Sequence, residues 1–317
     1  MKWTAVLAAA AVLTLTACGA RPLSELEDVQ GTVSETSVPE EEKAKDALDS
    51  IEEDAELKAL LPDDVRQRGL KWATSVGYPP MELWTSDNSE IIGVDPAIAH
   101  AVSKKLGVPM SLENQEFASL IPGLISKRYD VMISSTTDNE ERRKTTTFVD
   151  YVQAGNAFLV YEGNPEGIAR PDDLCGKSVA LVANGSSFEK AKEFSKKCED
   201  NGKQPYKILS FEDDNNANLA VQSRRATATV TDFPVAAYRA ADKKNKMAVV
   251  PIDGDEAVWG IGIDNSRTEL VDPIYGALSA LIEDGTYGEI LKAWDVERMA
   301  VDRVTVNLEE HTIGGDD

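Results

Sequence analysis

Basic residues are scarce in this chain. Thirty-three Lys and Arg stand against 55 Asp and Glu over 317 residues, a formal net charge of -22. That balance excludes binding to nucleic acid through phosphate contacts. Histidine and cysteine are scarcer still, at two and three residues. No His or further Cys lies near Cys175 and Cys198 to complete a metal site, and nothing in the sequence asks for a cofactor. Neither histidine invites a role: His100 lies off the apolar stripe Ile98, Val102, Leu106, and His311 falls near the C-terminus. Beyond the first residues, no apolar run is long enough to span a bilayer.

The exception is "MKWTAVLAAAAVLTLTACGA". One Lys, an apolar run and a small-residue end make residues 1–17 a secretory signal, too short and Ala-rich for a permanent span. It closes on Leu15-Thr16-Ala17-Cys18, which resembles the lipobox of bacterial lipoproteins. The resemblance implies a mature chain that begins at Cys18 and is held extracytoplasmically to the cell membrane by acyl chains. A Cys that merely ends an apolar core is the alternative. Residues 19–64 hold fifteen acidic and four basic residues and no aromatic. Residues 18–68 therefore read as an acidic, solvated tether, with helix formation in "KAKDALDSIEEDAELKALL" left open. Such a chain reaches roughly 35–40 Å.

With Cys18 assigned to lipid, Cys175 and Cys198 remain, and an even pair outside the cytoplasm is most simply a disulfide. Cys175 precedes the strand "SVALVA", and Cys198 lies on the helical stripe Phe188, Ala191, Ser195, Cys198. A helix returning along its strand brings the two together. Free thiols or metal ligands are the alternative.

From Leu70 strand and helix patterns alternate. "LKWATSV" is a strand, and Asp95-Pro96 opens a helix with Asp as N-cap and Pro at the first position. The strands "PMSLENQ" and "DVMIS" flank the helix "FASLIPGLISKRY", a βαβα rhythm that means a mostly parallel sheet. The long extended run "FVDYVQAGNAFLVYEG" leads to a second series of the same kind, and the chain then returns through "AVWGIGID". Two α/β lobes follow, residues 69–153 plus 255–300 and residues 157–250, with a tail over 301–317. The lobes are joined by two hinge segments near 152–158 and 248–258, which let them swing.

Several segments then resemble one family: "VGYPPMELW", "IIGVDPAIAHAVSKKLGV", "FASLIPGLISKRYDVMISSTTDNEERRKTTTFVDY", "LCGKSVALVANGSSFEKA", "VTDFPVAAY" and "LIEDGTYGEILKAW". Over about residues 69–296 the chain resembles the family-3 extracellular solute-binding proteins, the polar amino-acid binding lipoproteins of bacterial ABC importers. The resemblance implies a periplasmic-binding-protein-like α/β fold that captures a free amino acid between closing lobes. It also implies a monomer, a membrane permease as partner, and no catalysis. An enzyme on the same fold, dehydratase-like, or an amino-acid sensor outside transport are the rival readings.

A free amino acid carries a carboxylate and an ammonium, and each needs a fixed partner once desolvated. The family pattern in "TTDNEER" puts Arg142 at the carboxylate position, where a guanidinium fork fits two oxygens. Arg143 and Lys144 would face solvent. From the residues alone, Arg142 is as readily a surface residue at a helix start. Ser135 and Thr137 line the same turn and offer hydroxyl, carbonyl and N–H groups. In the second lobe "NGSS" aims the N–H groups of Ser186 and Ser187 from a helix N-terminus. Asp232 ends a strand as ammonium partner, or serves as the N-cap of the next helix. Tyr78 and Phe117 match the positions that sandwich a ligand side chain, against the alternative that they are core. Trp84 and Trp259 are weaker candidates. Basic-amino-acid binders of the family often carry an Asp where Ser75 stands, so a cationic ligand is disfavoured.

Overall fold

The computed structural model describes residues 40–315. Its strands are β1 (Leu70–Thr74), β2 (Leu83–Trp84), β3 (Ile91–Ile92), β4 (Met110–Asn114), β5 (Val131–Met132), β6 (Thr146–Tyr161), β7 (Ser178–Val182), β8 (Lys207–Phe211), β9 (Ala228–Asp232), β10 (Met247–Asp264) and β11 (Ala300–Val306). The main sheet runs β4-β1-β5-β10-β6-β9-β7-β8, and β11 adds to β6. Two parallel triplets, β4-β1-β5 and β9-β7-β8, are separated by the antiparallel pair of β6 and β10. Each triplet is the sheet of one lobe. Both expected crossings thus lie inside continuous strands, and the ladder between them slips register between Pro251 and Glu256.

Period-two alternation builds a core on each face of each sheet. In lobe 1, Trp72, Val131 and Ile133 face the helices Val94–Lys105, Val271–Glu283 and Thr286–Ala293, while Ala73 and Met132 face Leu120–Ile125. In lobe 2, Phe158, Val179 and Leu181 meet Ala191 and Cys198 of the helix Ser186–Asp200. Leu159 and Ala180 meet Ala217, Ala220 and Val221 of the helix Asp214–Gln222. Cys175 and Cys198 are bonded, with Cα atoms 5.7 Å apart.

The structure differs from expectation at both ends. Residues 1–39, which include the signal and Cys18, lie outside the described residues, and so does the first part of the expected tether. Its remainder is folded. Short helices at Lys45–Asp49, Ala55–Leu60 and Asp63–Arg68 pack Ala44, Ala47, Ile51, Leu61 and Val65 into the core of lobe 1. The composition concealed this because the acids occupy the outward faces while a sparse apolar stripe faces in. The expected tail is also structural: β11 pairs with β6 and buries Val304 and Val306. His311 is bound to Asp272 at 2.7 Å and lies edge-on to Tyr275. Trp259 is fully buried in the lobe 1 core, whereas Trp84 is exposed on β2. Among the described residues, no helix is long and apolar enough to cross a membrane.

Candidate functional site

The site begins where β5 ends. Ser134, Ser135, Thr136 and Asp138 are all buried, and Ser135 adopts a left-handed φ of 44°. A non-glycine residue holds that conformation only when its surroundings impose it. Asp95 imposes it: Oδ2 accepts from the Ser135 N–H at 2.7 Å and from Ser135 Oγ at 3.2 Å, while Oδ1 accepts from the Tyr151 hydroxyl at 2.6 Å. Asp95 is therefore not the N-cap expected. Gly93 holds that position, and the Asp95 carboxylate buttresses the turn. Burial pushes Asp95 up to about 6 against the pull of its donors, and pushes the adjacent buried Glu82 well above the carboxylate range, with Asp95 adding to that rise.

Asn139 caps the short helix Glu140–Arg143, its side chain accepting from the Arg142 N–H at 3.0 Å. This fixes where Arg142 projects. Its Nη1 donates to the Thr137 carbonyl at 2.8 Å, and its Nη2 crosses to the Asn184 carbonyl of lobe 2 at 3.3 Å. The guanidinium lies 5.7 Å from the Phe117 ring centre. Burial pulls it down to about 10, opposed by the charges of Asp232 and Asp138. Arg143 does not face solvent as expected: its Nε meets the buried Asp138 at 2.5 Å. Lys144 is exposed.

Lobe 2 answers across the gap. Ser186 and Ser187 open a fifteen-residue helix after Gly185. Thr137 Oγ donates to Ser186 Oγ at 2.9 Å, and Ser187 Oγ donates to Asn156 of β6 at 3.1 Å. Asp232 precedes the helix Phe233–Ala241, yet its side chain makes no cap bond. It accepts instead from the Tyr78 hydroxyl of lobe 1 at 2.6 Å, and the Asp232 N–H donates back to that hydroxyl at 3.1 Å. Burial raises the Tyr78 phenol well above its usual range, and the Asp232 charge adds to the rise.

A cavity of about 80 Å³ lies between these groups. Of the residues singled out in the sequence, Tyr78, Phe117, Ser135, Ser186, Ser187 and Asp232 line it. Thr137 and Arg142 stand beside it, joined to its rim by the bonds above. Two features were missed. The acidic run Glu212-Asp213-Asp214 after β8 forms part of the lining. Arg239 links Asp214 at 2.9 Å to the Gly77 carbonyl of lobe 1 at 2.8 Å. Gly77 has φ 121°, a conformation open to glycine, which turns that carbonyl toward lobe 2. The sequence signal was there in "FEDDNN", which reads equally well as a helix cap. Among the described residues, no group of His, Cys, Asp and Glu is placed to hold a metal ion.

Residues 70–297 match the model of the bacterial extracellular solute-binding proteins, family 3. The chain is 29% identical over 280 residues to the arginine-binding protein ArgT of Corynebacterium glutamicum, covering 87% of this chain and 91% of that protein. It is 29% identical over 299 residues to the glutamine-binding protein GlnH of Bacillus subtilis, covering 92% and 95% respectively. Among solved structures, an ancestral arginine-binding protein bound to arginine superposes with a TM-score of 0.65 at 31% identity, over 71% of this chain and 97% of that one. An ancestral amino-acid-binding protein, a precursor of cyclohexadienyl dehydratase, gives 0.64 at 31%, over 74% and 99%.

Proposed function

Since this chain belongs to the bacterial extracellular solute-binding proteins, family 3, we propose that it captures a free amino acid between its lobes and delivers it to an ABC permease. The relatives named for arginine and glutamine share one ligand chemistry, an α-carboxylate and an α-ammonium. The observation that carries the reading is the opposition of Arg142 on lobe 1 and Asp232 on lobe 2, beside one cavity lined by residues of both lobes. Arg142 takes the carboxylate with the N–H groups not committed to Thr137 and Asn184. The backbone N–H groups of Ser186 and Ser187 assist from their helix N-terminus. Asp232 takes the ammonium, Ser135 and Thr137 complete the polar shell, and Tyr78 and Phe117 flank the side chain. Contacts to both lobes shift the population toward closure. The protein acts as a monomer, and acyl chains on Cys18 hold it to the outer face of the cell membrane.

A thermal-shift screen of the common L-amino acids, followed by calorimetry of each hit, tests the capture. A stoichiometric hit is expected, and silence from all of them would remove the reading. Palmitate labelling that is lost in Cys18→Ala tests the anchor. The rival, an enzyme on this fold, draws on the ancestral dehydratase precursor. It needs a tuned acid or base at the cavity. The strongly shifted carboxyls Glu82 and Asp95 lie outside the cavity lining, and Asp214, which lines it and is raised by burial, is held by Arg239 and Asn218, which favours binding over turnover.

A further inference from the structure

Asp138 follows Thr137 in the turn that positions Arg142, and Asp150 lies on β6 just before the first hinge segment. β10 brings the two together. The Asp138 N–H donates to the Val258 carbonyl at 2.9 Å, and the Gly260 N–H donates to the Thr136 carbonyl at 3.0 Å. Gly260 in turn pairs with Asp150 across the ladder. A Cβ at position 260 would lie 2.6 Å from Phe148 Cβ and 3.1 Å from Asp150 Oδ1, so glycine leaves room for that carboxyl.

Both side chains are shut off from solvent. Asp138 Oδ1 accepts from Arg143 Nε at 2.5 Å, and Asp150 Oδ2 accepts from Thr305 Oγ and the Leu308 N–H. The other two oxygens, Asp138 Oδ2 and Asp150 Oδ1, are buried and receive no N–H or hydroxyl donor among the described residues. The two carboxyls instead hydrogen-bond to each other. They can do so only with a proton between them. Charge gives the same count. The charged groups facing the pair are Arg143 and, through its charge, Arg142, both from the helix Glu140–Arg143. β10 presents Gly260, β11 presents Thr305, and the turn after it the Leu308 N–H. Arg143 balances one negative charge, and Arg142 is reserved for the ligand carboxylate. The second negative charge needs a proton.

We propose that Asp138 and Asp150 share one proton and act as a positioning pair for the Arg142 turn, tying amino-acid capture to pH. The inference rests on the amino-acid reading of the site and adds its regulation. The Thr137 carbonyl, which accepts from Arg142 Nη1 at 2.8 Å, belongs to the peptide that Asp138 completes. While the proton is held, the pair ties that peptide to β6. When the proton leaves for solvent, two like charges face each other in a buried site and repel, and Asp138 passes the repulsion to the Arg142 bond. Burial pushes Asp150 up to about 7. The protonated pair binds, so affinity is full below about pH 7 and falls as pH rises through it.

The test is calorimetry on the full chain with L-arginine, L-glutamine and any further amino acid that the thermal-shift screen finds. It is run at pH 6 and pH 8, in buffers of different ionisation enthalpy, for the natural protein and Asp150→Asn. Affinity is expected to weaken about tenfold between the two pH values, with a proton taken up on binding at pH 8. Asp150→Asn keeps the shape and donates an amide N–H to Asp138. It should hold its pH 6 affinity at pH 8 and take up no proton. Asp95, pushed up to about 6, touches the same turn through Ser135, so a pH dependence that survives in Asp150→Asn belongs to that carboxyl and overturns the inference. Equal affinity at both pH values in the natural protein also overturns it, and leaves amino-acid capture standing. If no amino acid binds at either pH, the reading of the site fails and the link to capture falls with it. The shared proton is then judged by infrared spectroscopy. A protonated-carboxyl band lost between pH 6 and pH 8 in the natural protein, and missing from Asp150→Asn, upholds it; identical spectra overturn it.

Discussion

The hydroxyl of Tyr78 lies 2.6 Å from Oδ2 of Asp232, although the two residues are 154 positions apart and belong to different lobes. The carboxylate assigned to a ligand ammonium is thus already engaged from the other side of the cleft. On the proposed reading, a ligand completes a contact set that the lobes have begun. Asp232→Asn removes the charge but keeps the shape. Losing one partner of a desolvated charge pair costs about 2–5 kcal/mol, so amino-acid affinity should fall at least about thirtyfold by calorimetry.

Arg142 gives a sharper discrimination. Its fork spans the Thr137 and Asn184 carbonyls, one from each lobe, at 2.8 and 3.3 Å. Arg142→Lys keeps the charge and loses the fork. Its affinity should drop about tenfold or more, close to that of Arg142→Ala. A lysine variant with natural affinity would mean that charge alone suffices.

The disulfide staples the start of β7 to the end of its helix across a 23-residue separation. In the loop-entropy model that bond contributes about 3–3.5 kcal/mol. Cys175→Ala with Cys198→Ala should lower the urea midpoint by that equivalent. The loss should appear in lobe 2 amides first under hydrogen exchange.

Asp150 carries a pH dependence of defined sign. Burial pushes its carboxyl up to about 7, the neighbouring Asp138 charge adds to the rise, and hydrogen bonding from Thr305 opposes it. Oδ2 accepts from Thr305 Oγ at 2.6 Å and from the Leu308 N–H at 2.9 Å. A folded-state value above the unfolded one, near 3.9, means that the folded chain holds the proton more tightly. This contribution to stability is complete below about pH 4 and is lost as pH rises toward 7. Asp150→Asn imitates the protonated form. Its melting temperature should match the natural protein at pH 4 and exceed it at pH 8. A destabilised variant at pH 8 would contradict the assignment.

Glu40, at the edge of the N-terminal helical segment, accepts from the hydroxyl of Tyr238 on lobe 2. Its neighbour Glu41 is tied to Ser86 of lobe 1 at 3.0 Å. Tyr238→Phe removes a bond between the N-terminal segment and lobe 2 that involves no residue of the cavity lining. The variant should release ligand a few-fold faster in stopped-flow measurements, with the association rate little changed.

The strands through Trp72 and Phe158 were legible because a strand between two layers of helices must be apolar on both faces. The chain's departure and return were legible for the same reason. At the site, Ser186 starts a helix and Asp232 ends β9, where pattern and motif agree, whereas Tyr78 and Ser135 lie in loops after β1 and β5, and Tyr78 was marked by the family resemblance alone. Asp95 was misread because Asp before Pro is an ordinary cap signal, and only tertiary structure reveals its bond to Ser135. Glu212 was passed over because a run of acids after a strand resembles a cap. Ile51 and Val65 were lost in a segment whose charge dominated its average, since burial depends on which face a residue occupies and not on composition.

The helices at Lys45–Asp49, Ala55–Leu60 and Asp63–Arg68 grip lobe 1 through Ala47, Ile51, Leu61 and Val65. A load applied to the chain at residue 40 is therefore borne by the body of that lobe, as at a bolted flange. On the proposed reading, closure then carries Asp232 toward an Arg142 that stays with the anchored body.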